Sequence, residues 1–259
     1  MSPENYYLTK NLIMKLPSLK QAVALHFAIS LLIFIVLIVT MMTFWFPGDL
    51  FFMDGGWQGL KIIAPIDLIL GPALTLLFYR PGKKGLVFDV SAIVLVQVAA
   101  LGYGVYLAHE QRTAAIVFAE NRFETLSYNE FKAANEEIAE QKLLPKSLSD
   151  FGNRMPIIVY AKSFAAEDYG RYMEDLLNGL PELRERSDRY EPIHTASADI
   201  EKHQLVTETN GTTIEVPASS TSEKSADDNL TFALKARYLN GTITFSRNDM
   251  RLLRIERER

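Results

Sequence analysis

No formally charged residue stands between Lys20 and Asp49, with His26 taken as neutral, and that run of 28 residues constrains the chain more than any other feature. As a helix it would measure about 42 Å, ample for a hydrocarbon core of about 30 Å. Its centre, Leu31-Leu-Ile-Phe-Ile-Val-Leu-Ile-Val39, is wholly apolar. The lysines ahead of it, Lys10, Lys15 and Lys20, would also suit a signal peptide. Signal h-regions, however, run about 7–15 residues and end at small residues, whereas this run ends in Thr43-Phe-Trp-Phe-Pro47. It reads as an uncleaved first span.

Ile62–Tyr79 is a second apolar stretch, interrupted by Pro65, Asp67, Gly71 and Pro72; Leu86–Ala108 is a third, carrying Asp89 and Gln97. An Asp at a helix centre costs about 2.5–3.5 kcal/mol on insertion scales, so the second span is marginal by itself. Charge placement decides in its favour. With three spans, Lys10, Lys15, Lys20 and the turn Arg80-Pro-Gly-Lys-Lys84 all fall on the cytoplasmic side, as the positive-inside bias requires. With two, the basic turn would face outward. The expected organisation is a cytoplasmic arm (1–21), a three-span transmembrane domain (22–109, with spans at about 22–46, 60–79 and 86–108) and an outer domain (110–259). In a bacterium this is a multi-pass inner-membrane protein with its amino terminus in the cytoplasm and its tail in the periplasm.

Polar residues of spans two and three fall into stripes. Leu60, Ala64, Asp67, Gly71 and Thr75 recur at steps of three or four, and so do Asp89, Ile93, Gln97, Ala100 and Gly104. The short Pro-Gly-Lys-Lys-Gly turn predicts an antiparallel pair. If residues at equal distance from the turn face each other, Asp67 meets Gln97, Thr75 meets Asp89, Gly71 receives Ile93, Ala64 meets Ala100 and Leu60 meets Gly104. Small-residue contacts and interhelical hydrogen bonds are how helices associate in lipid. Pro72 also frees the Leu68 carbonyl. Two readings stay open: Asp67 as glue between the helices, or Asp67 partly unpaired and met by another protein.

In the tail, Thr113–Phe118 and Pro156–Tyr160 read as strands, and Tyr128–Leu143 and Ala165–Leu180 as amphipathic helices. The segment from Arg184 to Glu191 is charged and expected to be exposed. Leu205–Val206 and Thr213–Val216 pair around Asn210-Gly211, and Ala218–Asn229 is expected to be a mobile loop. Leu230–Leu239, Asn240-Gly241 and Thr242–Ser246 form a hairpin on the favoured turn dipeptide, with Arg251–Ile255 as a further strand. The expected fold class is thus an α-helical membrane anchor of three transmembrane helices plus a C-terminal α+β periplasmic domain with a mostly antiparallel sheet. The element order would also suit a thioredoxin-like sheet, although a chain with no Cys performs no thiol exchange.

Chemistry is hard to find. A net charge of −4 excludes a strongly basic nucleic-acid binder. An intramembrane aspartyl dyad fails because Asp89, opposite Thr75, would lie about 12 Å of helix rise from Asp67. His26, His109, His194 and His203 lack metal-ligand spacing, and each suits a surface or interfacial position better. No catalytic, cofactor or metal residues are assigned. The loop Phe44–Trp57 is different, packing six aromatics among Pro47, Gly48, Gly55 and Gly56. It reads either as an interfacial anchor or as a shaped loop beneath the tail that meets a partner.

These residues carry a resemblance. Phe46-Pro-Gly48 with Gly55-Gly-Trp57, Asp67-Leu-Ile-Leu-Gly-Pro-Ala-Leu-Thr75, Pro81-Gly-Lys83, Asp89, Gln97, Ala100-Leu-Gly-Tyr-Gly104, Arg112, Phe118 and Arg122-Phe123 resemble the type IV pilin accessory proteins of the TfpX/TfpZ family. The resemblance covers roughly residues 44–125. Thr113 stands where Pro would be expected and Asn121 where Asp would be, and the tail beyond Glu124 matches loosely. It implies a non-enzymatic, chaperone-like inner-membrane helper of type IV pilus biogenesis that binds or stabilises the major pilin before assembly. Residues expected to meet the partner are Asp67, Gly71, Pro72, Trp57, Pro47 and Gly48. An alternative from another class is a membrane-anchored periplasmic sensor that binds a small ligand, for which the arm 1–20 offers little output module. A glycan transferase acting on pilin would need an acid/base constellation that the sequence lacks.

Overall fold

The computed structural model describes residues 18–81, 83–207, 213–215 and 229–258. The turn dipeptide Asn210-Gly211 and nearly all of the expected loop Ala218–Asn229 lie outside them. The chain divides into two compact units, one of residues up to 38 with 60–105, the other of 39–59 with 106 onward.

Three helices are long and apolar enough to cross a membrane: α1 (Leu19–Trp45), α2 (Gly56–Phe78) and α3 (Leu86–Glu110). The first unit takes α1 up to Ile38, α2 from Leu60 onward and α3 up to Val105. On α2 the inward stripe is Leu60, Ile63, Asp67, Gly71 and Thr75; on α3 it includes Leu86, Ile93 and Gln97. Apolar side chains such as Leu32, Ile62 and Leu95 point outward, as lipid-facing positions should. Pro72 has no N–H to give to the Leu68 carbonyl, and α2 widens into a π turn over Ile66–Leu70 just ahead of it.

The helices meet about one turn away from the expected register. Gly71 faces Gln97 rather than Ile93, and Gly104 approaches Ile63 rather than Leu60. Counting residues from the turn fails because the two arms rise unequally. Tyr79 leaves α2 in an extended conformation, gaining about 3.3 Å per residue, whereas the return from Lys83 is coiled and continues into α3 at about 1.5 Å per residue. Asp89 consequently pairs with Lys83 at 2.5 Å, and Thr75 has a different partner.

The second unit is built on a seven-stranded sheet of order β4-β3-β1-β2-β7-β8-β9. Its strands are β1 (Thr113–Ala119), β2 (Arg122–Ser127), β3 (Ile157–Ala161), β4 (Tyr190–Pro192), β7 (Asn229–Lys235), β8 (Gly241–Ser246) and β9 (Leu252–Arg257). Only β1–β3 and β2–β7 pair in parallel, so the sheet is mostly antiparallel. A separate two-stranded ribbon pairs β5 (Leu205–Thr207) with β6 (Thr213–Glu215). Helices α4 (Tyr128–Glu140) and α5 (Tyr169–Leu177) contribute Phe131 and Tyr172 to a core with Val117, Leu126 and Val159. Aromatic packing of Phe118, Phe123, Phe232 and Phe245 forms a second cluster.

Three expectations need correction here. Strand β2 is absent from the sequence reading, yet it closes a hairpin on β1 through Glu120-Asn121, with Glu120 at φ 58°; its presence breaks the strand–helix–strand order behind the thioredoxin-like alternative. The segment from Arg184 to Glu191 is not simply exposed. Arg186 is buried because Asp175 (3.0 Å) and Asp188 (2.9 Å) pair with its guanidinium, and Tyr190 lies in the core. The last hairpin exists, but Leu234 pairs with Gly241, so its connection is longer than Asn240-Gly241.

Candidate functional site

Sequence places a polar residue at the same depth in each long helix, since Ser30, Asp67 and Gln97 all lie eleven residues beyond the first residue of α1, α2 and α3. Folding brings the three to one cleft of about 380 Å³ within the first unit. Its walls are mostly aliphatic, with Ile29 and Ile33 from α1 and Val94 and Leu101 from α3, and His26, Thr75 and Tyr79 also line it. The Ser30 hydroxyl donates to Asp67 Oδ1 at 3.3 Å, while Asp67 Oδ2 is buried and has no partner. Gln97 Nε2 is likewise buried and unpartnered. Asp67 is 5% exposed and Gln97 8%.

Gly71 makes this arrangement possible. A Cβ there would stand 1.8 Å from Gln97 Nε2 and 2.9 Å from His26 Nε2, so only a hydrogen lets both side chains approach the α2 backbone. His26 Nδ1 is 2.7 Å from the Thr75 hydroxyl. Of the expected packing residues, Asp67, Gln97, Thr75 and Gly104 lie on the inward faces, Ala64 and Ala100 are half-buried beside them, and Asp89 sits apart with Lys83. Pro72 lines a neighbouring apolar groove with Ala24 and Phe27. Ser30 has no role in the sequence analysis, and His26, expected at a surface or interfacial position, instead lines the cleft beside Thr75. Their signal was the i, i+4 polar spacing within an otherwise apolar helix.

The second unit treats its buried charge differently. Asp54, in the segment between α1 and α2, is fully buried. The Thr125 hydroxyl donates to Oδ1 at 2.7 Å, Arg237 Nε donates to it at 3.0 Å, and the Thr113 hydroxyl donates to Oδ2. The Tyr238 and Leu239 N–H groups donate to the Met53 carbonyl, and the Arg257 N–H donates to Asp49 Oδ2 at 3.0 Å. Phe46, Leu50, Phe51 and Met53 are buried around it. The hairpin tip between β7 and β8 therefore grips Met53-Asp54, which is why its connection outgrows a two-residue turn. Trp57 remains 41% exposed, Pro47 is half-buried, and Gly48 is exposed with φ +63°.

Elsewhere in this unit, burial opposes the charge of Glu130. The Ser127 N–H and hydroxyl and the nearby Arg184 outweigh it and hold the carboxyl below its ordinary 4.5. Burial pushes the Tyr190 phenol well up, and its hydroxyl donates to the Arg184 carbonyl. Among the described residues no group of three or more His, Asp or Glu side chains is placed to hold a metal ion.

Three apolar helices of membrane-crossing length and an α+β sheet unit define the class of protein. Within it, the chain is 31% identical over 105 residues to the serogroup I fimbrial assembly protein of Dichelobacter nodosus, covering 40% of this chain and 41% of that protein. The serogroups C1 and C2 fimbrial assembly protein of the same organism is 30% identical over 105 residues, covering 40% of this chain and 80% of the relative. The serogroup E1 protein is 30% identical, with 41% of its length covered. The chain thus spans only about two fifths of the serogroup I and E1 relatives. It belongs to the family of these fimbrial assembly proteins. No protein-family model and no solved structure matches it.

Proposed function

We propose that this protein is a type IV pilin accessory protein of the bacterial inner membrane, of the TfpX/TfpZ kind, which holds the major pilin before assembly and performs no catalysis. Membership in a family of fimbrial assembly proteins is the observation that carries this reading. The polar-floored cleft in the apolar helices supports the membrane half of it, since a subunit waiting in the bilayer offers a transmembrane helix. Trp57, Pro47 and Gly48 offer the partner an aromatic, turn-shaped surface where its helix leaves the lipid.

Two considerations support this topology. Segment 46–55 follows α1 and is hydrogen-bonded to residues of the sheet that follows α3, which supports a common side of the membrane for both. Two crossings between them fit that arrangement. The basic residues Arg80, Lys83 and Lys84 at the opposite end of α2 favour the cytoplasm for that end, and with it the periplasm for the sheet unit. A photo-reactive residue at Trp57 in living cells should give a crosslinked adduct with pilin. Its absence, with normal insertion, would overturn the reading. A cytosol-dependent reporter fused after Arg259 should be inactive.

A further inference from the structure

We infer that the cleft of the first unit is a receptor for a single carboxamide side chain, Asn or Gln, carried near the middle of a partner's transmembrane helix. The inference rests on the reading that this unit holds a partner helix, and it adds what the cleft selects.

Depth sets the kind of occupant. Ser30, Asp67 and Gln97 each lie about 16 Å of rise into helices of 27, 23 and 25 residues, close to the middle of the bilayer. Lipid head groups do not reach that level, whereas a side chain on a spanning helix does. The walls, Ile29, Ile33, Val94 and Leu101, match the apolar flanks of such a helix. A cleft of about 380 Å³ has room for a side chain and not for the helix that bears it.

Chemistry then narrows the side chain. Asp67 Oδ2 needs a donor and Gln97 Nε2 needs an acceptor, and both atoms are buried without one. Lys or Arg would bring donors only and leave the Gln97 amide unanswered. A carboxylate would bring acceptors only and leave Asp67 Oδ2 unanswered. A carboxamide presents a carbonyl oxygen and an NH2 in one plane and answers both. Gly71 keeps the Gln97 amide in position, because any larger residue displaces it.

The test uses the full chain in lipid vesicles with labelled Leu-rich transmembrane peptides whose central residue is Leu or Asn. Energy transfer should report association of the central-Asn peptide about tenfold tighter than that of the Leu peptide, within the range of interhelical hydrogen bonds in lipid. A peptide with Asn near one end should behave like the Leu control. In the Asp67→Leu, Gln97→Leu double variant, checked for insertion and unchanged thermal unfolding, the preference should vanish. Equal association of both central peptides with the native chain would overturn the receptor while leaving the helix-holding reading in place. Association of neither would overturn both, and a preference that survives the double variant would overturn the assignment to these residues.

Discussion

Two buried aspartates show how differently the two units spend a charge. Asp54 meets hydroxyls from Thr113 and Thr125 and the guanidinium of Arg237, so both of its oxygens are engaged. Asp67 has one long hydrogen bond from Ser30 and an empty second oxygen. A fully answered charge holds structure together, since it leaves nothing to offer. A half-answered one in an apolar cleft lowers its free energy by meeting something else. Position along the chain does not distinguish them; the company each keeps does.

The contrast can be broken by substitution. The largest effect is expected at Asp54. Asp54→Ala leaves Arg237 without its buried carboxylate and should destabilise the second unit by about 3–5 kcal/mol, read from thermal or denaturant unfolding. Gly71→Ala should cost about 1–3 kcal/mol by driving a methyl into Gln97 and His26. The chain has no Cys, so engineered Cys pairs across α2 and α3 would report the displacement against a clean background.

Ser127→Ala should cost about 1 kcal/mol through the lost cap of α4. It should also flatten the acid dependence of stability. The folded carboxyl of Glu130 lies below its unfolded value, so its contribution is complete above pH 4.5 and is lost as pH falls through the folded value. Smallest should be Asp67→Asn, at about 0.6 kcal/mol or less on stability, because only the Ser30 bond is at stake. Under the proposed pilin-holding role, its consequence should appear instead as reduced pilin co-purification. A loss of stability at Asp67 equal to that at Asp54 would erase the distinction between the two residues.

Much of the architecture is legible in the residues. An uncharged run of 28, a basic turn and periodic polar stripes give three apolar helices, and alternation gives most of the strands. Strand β2 was equally available in Arg122-Phe-Glu-Thr-Leu-Ser127, but the preceding turn uses Glu120 at positive φ, where no Gly announces it. The stripe that holds Asp67, Gly71 and Thr75 is also legible. Its partners are not, because the register depends on how far each arm of the turn rises, and His26 and Ser30 arrive from a helix remote in sequence. Arg186 reads as a surface charge until Asp175 and Asp188 are seen around it.

Composition and periodicity alone determined which segments are apolar enough to leave water and which faces they bury, because both depend on local side-chain chemistry. Tertiary structure decided which buried polar atoms are satisfied. That depends on the distances between groups tens of residues apart, as Asp54 and Arg237 show by meeting across 183 positions while Asp67 Oδ2 meets nothing.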